Sequence, residues 1–198
     1  NKLKMIPTVK MIGVTGALAV NNCKEDDDID LLIITAQNTL WFTRLLLILC
    51  SPFLGINRRK PKDRDVNNKI CFNLFLDEDH LKIEQENLFL AHEITQVKSI
   101  YDKGGIYERF ISENRWIKKY LSNATAVSNS SIQQFNNLSF ITVLNKLTFW
   151  SQYQYMKPKM TCEKVSLYQA FFHPADLSNK IQKKFERRIK SSFIKLLY

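Results

Sequence analysis

The sequence lacks closely spaced cysteines. Cys23, Cys50, Cys71 and Cys162 stand 27, 21 and 91 positions apart, without the CxxC or CxxxxC pairs of a zinc knuckle, and three scattered histidines do not complete a ligand set. Structural zinc is therefore not expected, and the cysteines read as thiols. A membrane-length apolar run is also missing. The longest apolar stretch, 45–56, is broken by Ser51, Pro52 and Gly55 and bounded by Arg44 and Arg58, well short of the roughly 20 residues that cross a bilayer. No basic-then-apolar leader opens the chain, which starts at Asn1 without a methionine, as a processed or truncated chain would. These absences predict a soluble, cytoplasmic protein with no membrane partner, and make the sequons at Asn123, Asn129 and Asn137 accidental. Acids are scarce too: 19 Asp and Glu face 29 Lys and Arg, a formal charge of +10.

What is present is a core. Of 198 residues, 45% are hydrophobic, with 13 Phe, 7 Tyr and 3 Trp, which excludes a disordered polycation and predicts one domain or one domain with a small appendage. The surplus charge is local. Residues 58–64 carry net +4 and residues 180–195 net +6, so the remaining body balances at 17 bases and 17 acids. Arg58, Arg59, Lys183, Lys184 and Arg187 thus form a candidate basic surface for a polyanionic substrate.

Along the chain, 9–14 (VKMIGV) reads as a short buried strand ending at Thr15-Gly16, followed by a small-residue helix over 17–22. The run 29–35 (IDLLIIT) reads as a central strand covered on both faces. Asn38 offers a cap for a helix over 40–50, and 69–76 reads as a third strand, with a short return strand at 81–83. Asn87 can cap a helix through Val97, and 106–121 has helical spacing. The polar, Asn- and Ser-rich stretch 122–139 reads as a loop or linker. It divides a core over 1–121 from a helical C-terminal region over 140–198, where 138–155, 163–172 and 174–197 are expected to be helical. Trp41, Trp116 and Trp150 are assigned to packing, and His92-Glu93 to a helix surface.

The segment with chemical content is Thr15-Gly16-Ala17, then Asp28-Ile29-Asp30 entering the apolar strand. Carboxylates two residues apart on a strand project from one face. Such a pair repels when empty and suits Mg²⁺, a hard cation that takes carboxylate, water and phosphate oxygens. A glycine turn opening a helix adds backbone N–H groups suited to a triphosphate.

This glycine turn, ten residues, then Asp-hydrophobic-Asp resembles the nucleotidyltransferase domain of the DNA polymerase β superfamily. With LWFTR, CFNLFL, LAHEI, ENRWIKKYL and AFFHPADL, the sequence is similar over nearly its whole length to a poorly characterised bacterial group of nucleotidyltransferase-domain proteins. The resemblance implies an α+β fold, a polymerase β-like core with a small mixed sheet plus a helical C-terminal part. It implies Mg²⁺-dependent transfer of a nucleoside monophosphate from an NTP to a hydroxyl acceptor (nucleic acid, protein or small molecule), with pyrophosphate released. By motif position, Asp28 and Asp30 would be the catalytic metal ligands of a two-ion site, and Thr15, Gly16 and Ala17 the nucleotide contacts. Two departures stand out. Ala17 has no hydroxyl where the superfamily often has serine. The third carboxylate, expected in CFNLFL, is missing, which leaves Asn73 as a weaker candidate ligand, or Glu93 or one of Asp77 to Asp79 brought close by the fold. The alternative is a catalytically reduced module of the same fold that binds nucleic acid or a protein partner.

Overall fold

A computed structural model describes residues 2–60, 63–124, 139–172 and 187–188. Its architecture is α+β. Six strands, β1 (Val9–Val14), β2 (Ile29–Thr35), β3 (Ile70–Asp77), β4 (Lys98–Asp102), β5 (Lys164–Val165) and β6 (Gln169–Phe171), form one mixed sheet in the order β4-β1-β2-β3-β6-β5. Only β2 and β3 run parallel. A parallel pair needs a crossover, and α2 (Leu40–Cys50) lies within it.

The nearly unbroken apolar run of β2 is explained by its two covered faces. Leu32 and Ile34 pack with Met11 and Leu76 on one side, beneath residues of α3 (Leu88–Thr95) and α4 (Ile106–Glu113). Leu31 and Ile33 pack with Ile12 and Phe75 on the other, against α2 and residues of α5 (Ser139–Met156). Period-two alternation therefore assigns Asp30 to the face of Leu32. That is the face on which the candidate site is built.

Several elements differ from expectation. Asn38 does not cap α2. It adopts φ +56° and donates its backbone N–H to Asp77 Oδ2 at 2.6 Å, while the N-cap position is Thr39. The open N–H groups of α2 are met from another helix, because Asn145 Oδ1 of α5 accepts from Trp41 N at 2.8 Å and Phe42 N at 3.2 Å. The helix expected over 106–121 breaks at Asn114, which faces the core, and continues as a 3₁₀ turn over Arg115–Lys119. Residues 81–83 form no strand. The segment 163–172 is not a helix but the β5–β6 hairpin. Ser166 Oγ accepts from Gln169 N at 3.0 Å and Tyr168 N at 3.3 Å, a side-chain turn that competes with helix, and β3 pairs with β6. Trp41 and Trp116 are buried as expected, whereas Trp150 is 64% exposed. The expected helix over 174–197 lies outside the described residues, apart from 187–188.

Asp77 ends β3 and is fully buried. Its two carboxylate oxygens accept from Asn38 N at 2.6 Å and Asp79 N at 3.1 Å, and burial still pushes its carboxyl up to about 6. A folded-state value above the unfolded one, about 3.9, means that the native protein binds this proton more tightly. The associated stability is full below about pH 4 and is lost as pH rises through about 6. In urea melts, the gap between the parent and Asp77→Asn is therefore expected to be larger at pH 4.5 than at pH 7.5, by about 2 kcal/mol. An equal gap at both values would show that Asp77 does not carry this proton.

Candidate functional site

β1 ends beside the start of β2, where Thr15 N donates to Asp30 O at 3.0 Å. Gly16 then turns the chain with φ +65° and opens the four-residue α1 (Gly16–Ala19). A Cβ placed on Gly16 would stand 2.6 Å from Asp30 Oδ2, so the turn rests directly on that carboxylate. Glycine is required here for both conformation and space. Asp28 immediately precedes β2 and Asp30 is its second residue.

The parallel pairing sets Cys71 opposite Asp30. One oxygen from each of Asp28 and Asp30 and the Cys71 Sγ all lie within 4.8 Å of one another. Burial pushes the Cys71 thiol up to about 12, and the charges of Asp30 and Asp28 and a hydrogen bond with Asp30 add to this, so the thiol is neutral at physiological pH. The resemblance implies a third carboxylate on this strand, and the residue facing Asp30 is instead Cys71. The strand register is the signal that finds it. Asn73, at the β3 irregularity between Phe72 and Leu74, is almost fully buried, and its backbone carbonyl accepts from Phe172 N at 2.9 Å. Asp77 to Asp79 lie at the opposite end of β3.

The basic loop reaches the same place by backbone pairing. Arg58 bridges Ile70 in parallel, and Arg59 N donates to Ile70 O at 2.9 Å. Arg59 Nη1 thereby meets Asp28 Oδ2 at 2.7 Å, and this bond holds the guanidinium above its usual value. The guanidinium offsets part of the repulsion between the carboxylates. Arg187 is exposed, and Lys183 and Lys184 lie outside the described residues.

The donor set fits a hard divalent cation on its two carboxylates, whose oxygens approach closely enough to share one ion. Cys71 supplies a soft sulfur rather than a third hard oxygen to that set. Beside it, on the same face of the sheet, is a cavity of about 570 Å³. Thr15 and Asn73 line it, as do Leu90, Glu93 and Ile94 of α3 and Phe171 of β6. Glu93, expected on a helix surface, thus faces a cavity. Among the described residues, no helix is long and apolar enough to cross a membrane.

Fold and site together define an α+β domain with a glycine turn seated on Asp30, beside Asp28. No family model matches the sequence, and no curated protein matches it. Among solved structures, a toxin–antitoxin crystallised with AMP-PNP is 18% identical, with 61% of this chain and 83% of that chain covered and a TM-score of 0.35. A mutant of the toxin–antitoxin MntA-HpeT is 16% identical over the same shares, with a TM-score of 0.34. Both superpositions are too loose to carry a residue role from those proteins to this chain.

Proposed function

We propose that this protein is a Mg²⁺-dependent nucleotidyltransferase that moves a nucleoside monophosphate from an NTP to a hydroxyl acceptor and releases pyrophosphate. The observation that carries this reading is the seating of the Gly16 turn on Asp30, with the Asp28 and Asp30 oxygens within 4.8 Å of each other. Asp28 and Asp30 would hold the metal, and Thr15, Gly16 and Ala17 would approach the β- and γ-phosphates. Bound Mg²⁺ supplies a counter-charge to the phosphates and a template for in-line displacement. The turn's contribution is close backbone approach, because neither Gly16 nor Ala17 places a bulky side chain between the main chain and a phosphate.

The test is retention of α-labelled NTP on filters with Mg²⁺ and with a chelator, followed by pyrophosphate release. Mg²⁺-dependent retention is expected, and Asp28→Asn with Asp30→Asn is expected to abolish it. Equal retention by the double variant would overturn the site assignment.

The presence of Cys71, where a third carboxylate is expected beside Asp28 and Asp30, favours a second reading, a catalytically reduced module of the same fold. On that reading NTP is retained with Mg²⁺ but no pyrophosphate is released. Nucleic-acid binding, if it is the role, then falls steeply with salt and depends on Arg58 and Arg59.

A further inference from the structure

The cavity beside Asp30 has its own chemistry. Its volume of about 570 Å³ lies within the range of small-molecule pockets, and most of its wall is apolar, including Ile83, Phe89, Leu90, Ile94 and Phe171. Asp28, Asp30 and Cys71 are not in its lining, but it borders their site through two neighbours. Thr15, which donates its N–H to the Asp30 carbonyl, and Asn73, two residues beyond Cys71, both line it. α3 is anchored over β1 at this point, because Val97, just beyond its end, lies so close to Gly13 that a Cβ there would stand 2.7 Å from Val97 Cγ1. Glu93 and Val97 are four residues apart and both line the cavity, so they share the inward side of this segment. The other boundary is polar. Lys164 Nζ bonds Gln85 Oε1 at 2.8 Å, and Gln169 Nε2 donates to the carbonyls of His80 and Lys82, each at 2.8 Å. These bonds tie the β5–β6 hairpin to the segment 80–85 and close that side of the cavity.

We propose that this cavity is the acceptor subsite, and that the acceptor is a small hydroxyl compound with an apolar body. The inference rests on the nucleotidyltransferase reading above. The stretch of wall formed by Leu74, Ile83, Phe89, Leu90, Ile94 and Phe171 suits an apolar body, and the hydroxyls of a polymer end or a sugar laid against that stretch would go without partners. A compact apolar body buries its surface there and presents one hydroxyl to the α-phosphorus of a nucleotide held at the neighbouring Asp28–Asp30 site, on the side away from the β- and γ-phosphates. In the transfer, the acceptor oxygen forms a bond to the α-phosphorus, the bond from the α-phosphorus to the bridging oxygen breaks, and pyrophosphate leaves with that oxygen and its electron pair. The hydroxyl proton passes to the Glu93 carboxylate. Glu93 is one of two carboxylates in the lining, with Glu84 on the segment tied to the hairpin.

The probe is 2-naphthol, a fluorescent hydroxyl compound with an apolar body, tested on the full chain against glycerol and a short RNA with a free 3′ end. Naphthol is expected to bind saturably without nucleotide. Leu90→Trp, which fills the cavity, and Phe89→Ala, which removes a wall, are each expected to weaken that binding by about tenfold or more; far-UV circular dichroism checks that both variants fold. With labelled NTP and Mg²⁺, label is expected on naphthol and not on glycerol or RNA, and Glu93→Gln is expected to lower that transfer with little change in naphthol binding. NTP retention on the same samples reports the Asp28–Asp30 site separately. Retained NTP with naphthol binding that both cavity variants leave unchanged overturns the subsite and spares the functional reading. Transfer to RNA or glycerol in preference to naphthol does the same. Cavity-dependent naphthol binding without Asp-dependent NTP retention overturns the functional reading, and the acceptor role with it.

Discussion

Gly16→Ala is expected to eliminate Mg²⁺-dependent NTP retention and to destabilise the fold by about 2–3 kcal/mol. Two independent effects add at this residue. Its φ of +65° is strained for any residue with a Cβ, and that Cβ would stand 2.6 Å from Asp30 Oδ2, a contact that real side chains do not make. The backbone is constrained too, because Thr15 N is bonded to Asp30 O. The carboxylate must therefore swing away, and the close approach of Asp28 and Asp30 is lost. Gly104→Ala is the control. Gly104 has φ +83°, with nothing within 4 Å of its Cβ position. It should show the backbone strain alone, about 1–2 kcal/mol in urea melts, and retain nucleotide as the parent does. If Gly16→Ala behaves like Gly104→Ala in both measurements, the turn does not support the carboxylates.

Asn114→Ala is expected to lower stability by about 3–5 kcal/mol, a large share of the roughly 5–15 kcal/mol that holds a domain together. Asn114 is fully buried. Its Oδ1 accepts from Ile83 N at 2.9 Å and Trp116 Nε1 at 3.1 Å, and its Nδ2 donates to Leu81 O at 2.9 Å and Phe110 O at 2.8 Å. One amide thus ties the strandless segment 81–83 to the end of α4 and the turn after it. Alanine would leave buried partners without bonds and open a cavity where the amide stood. The segment released includes Ile83, a wall of the proposed subsite, so naphthol binding should weaken in the same variant. A loss of stability under 1 kcal/mol would show that water replaces the amide.

How much of this was legible depended on how local each determinant is. The strands around 9–14, 29–35 and 69–76 could be read because burial on one or both faces leaves its own pattern of apolar residues. Asn87 could be read as a cap because its bond, Leu90 N to Asn87 Oδ1 at 2.8 Å, spans only three residues. The hairpin at 164–171 could not. It was expected to be helical, and pairing with a strand nearly 100 residues earlier decided otherwise. The break at Asn114 was hidden for a similar reason, since two of its four side-chain partners, Leu81 and Ile83, lie some thirty residues earlier and the periodicity of 106–121 does not register them.

The candidate site divides along the same line. Asp28, Asp30 and the Gly16 turn were legible because alternation along a strand and the freedom of glycine are properties of short segments. Their contact, the neutral Cys71 opposite Asp30, the Arg59 bond to Asp28 and the inward placement of Glu93 were decided only by the tertiary structure. Each depends on the register between β2 and β3 or on where α3 rests across the sheet, and those are set by packing among residues far apart in the chain. The sequence by itself therefore determined the kinds of group available to the candidate site and their order along the chain. The fold decided which of them meet, because a carboxylate, a thiol and a guanidinium affect one another only at the short distances that strand pairing imposes.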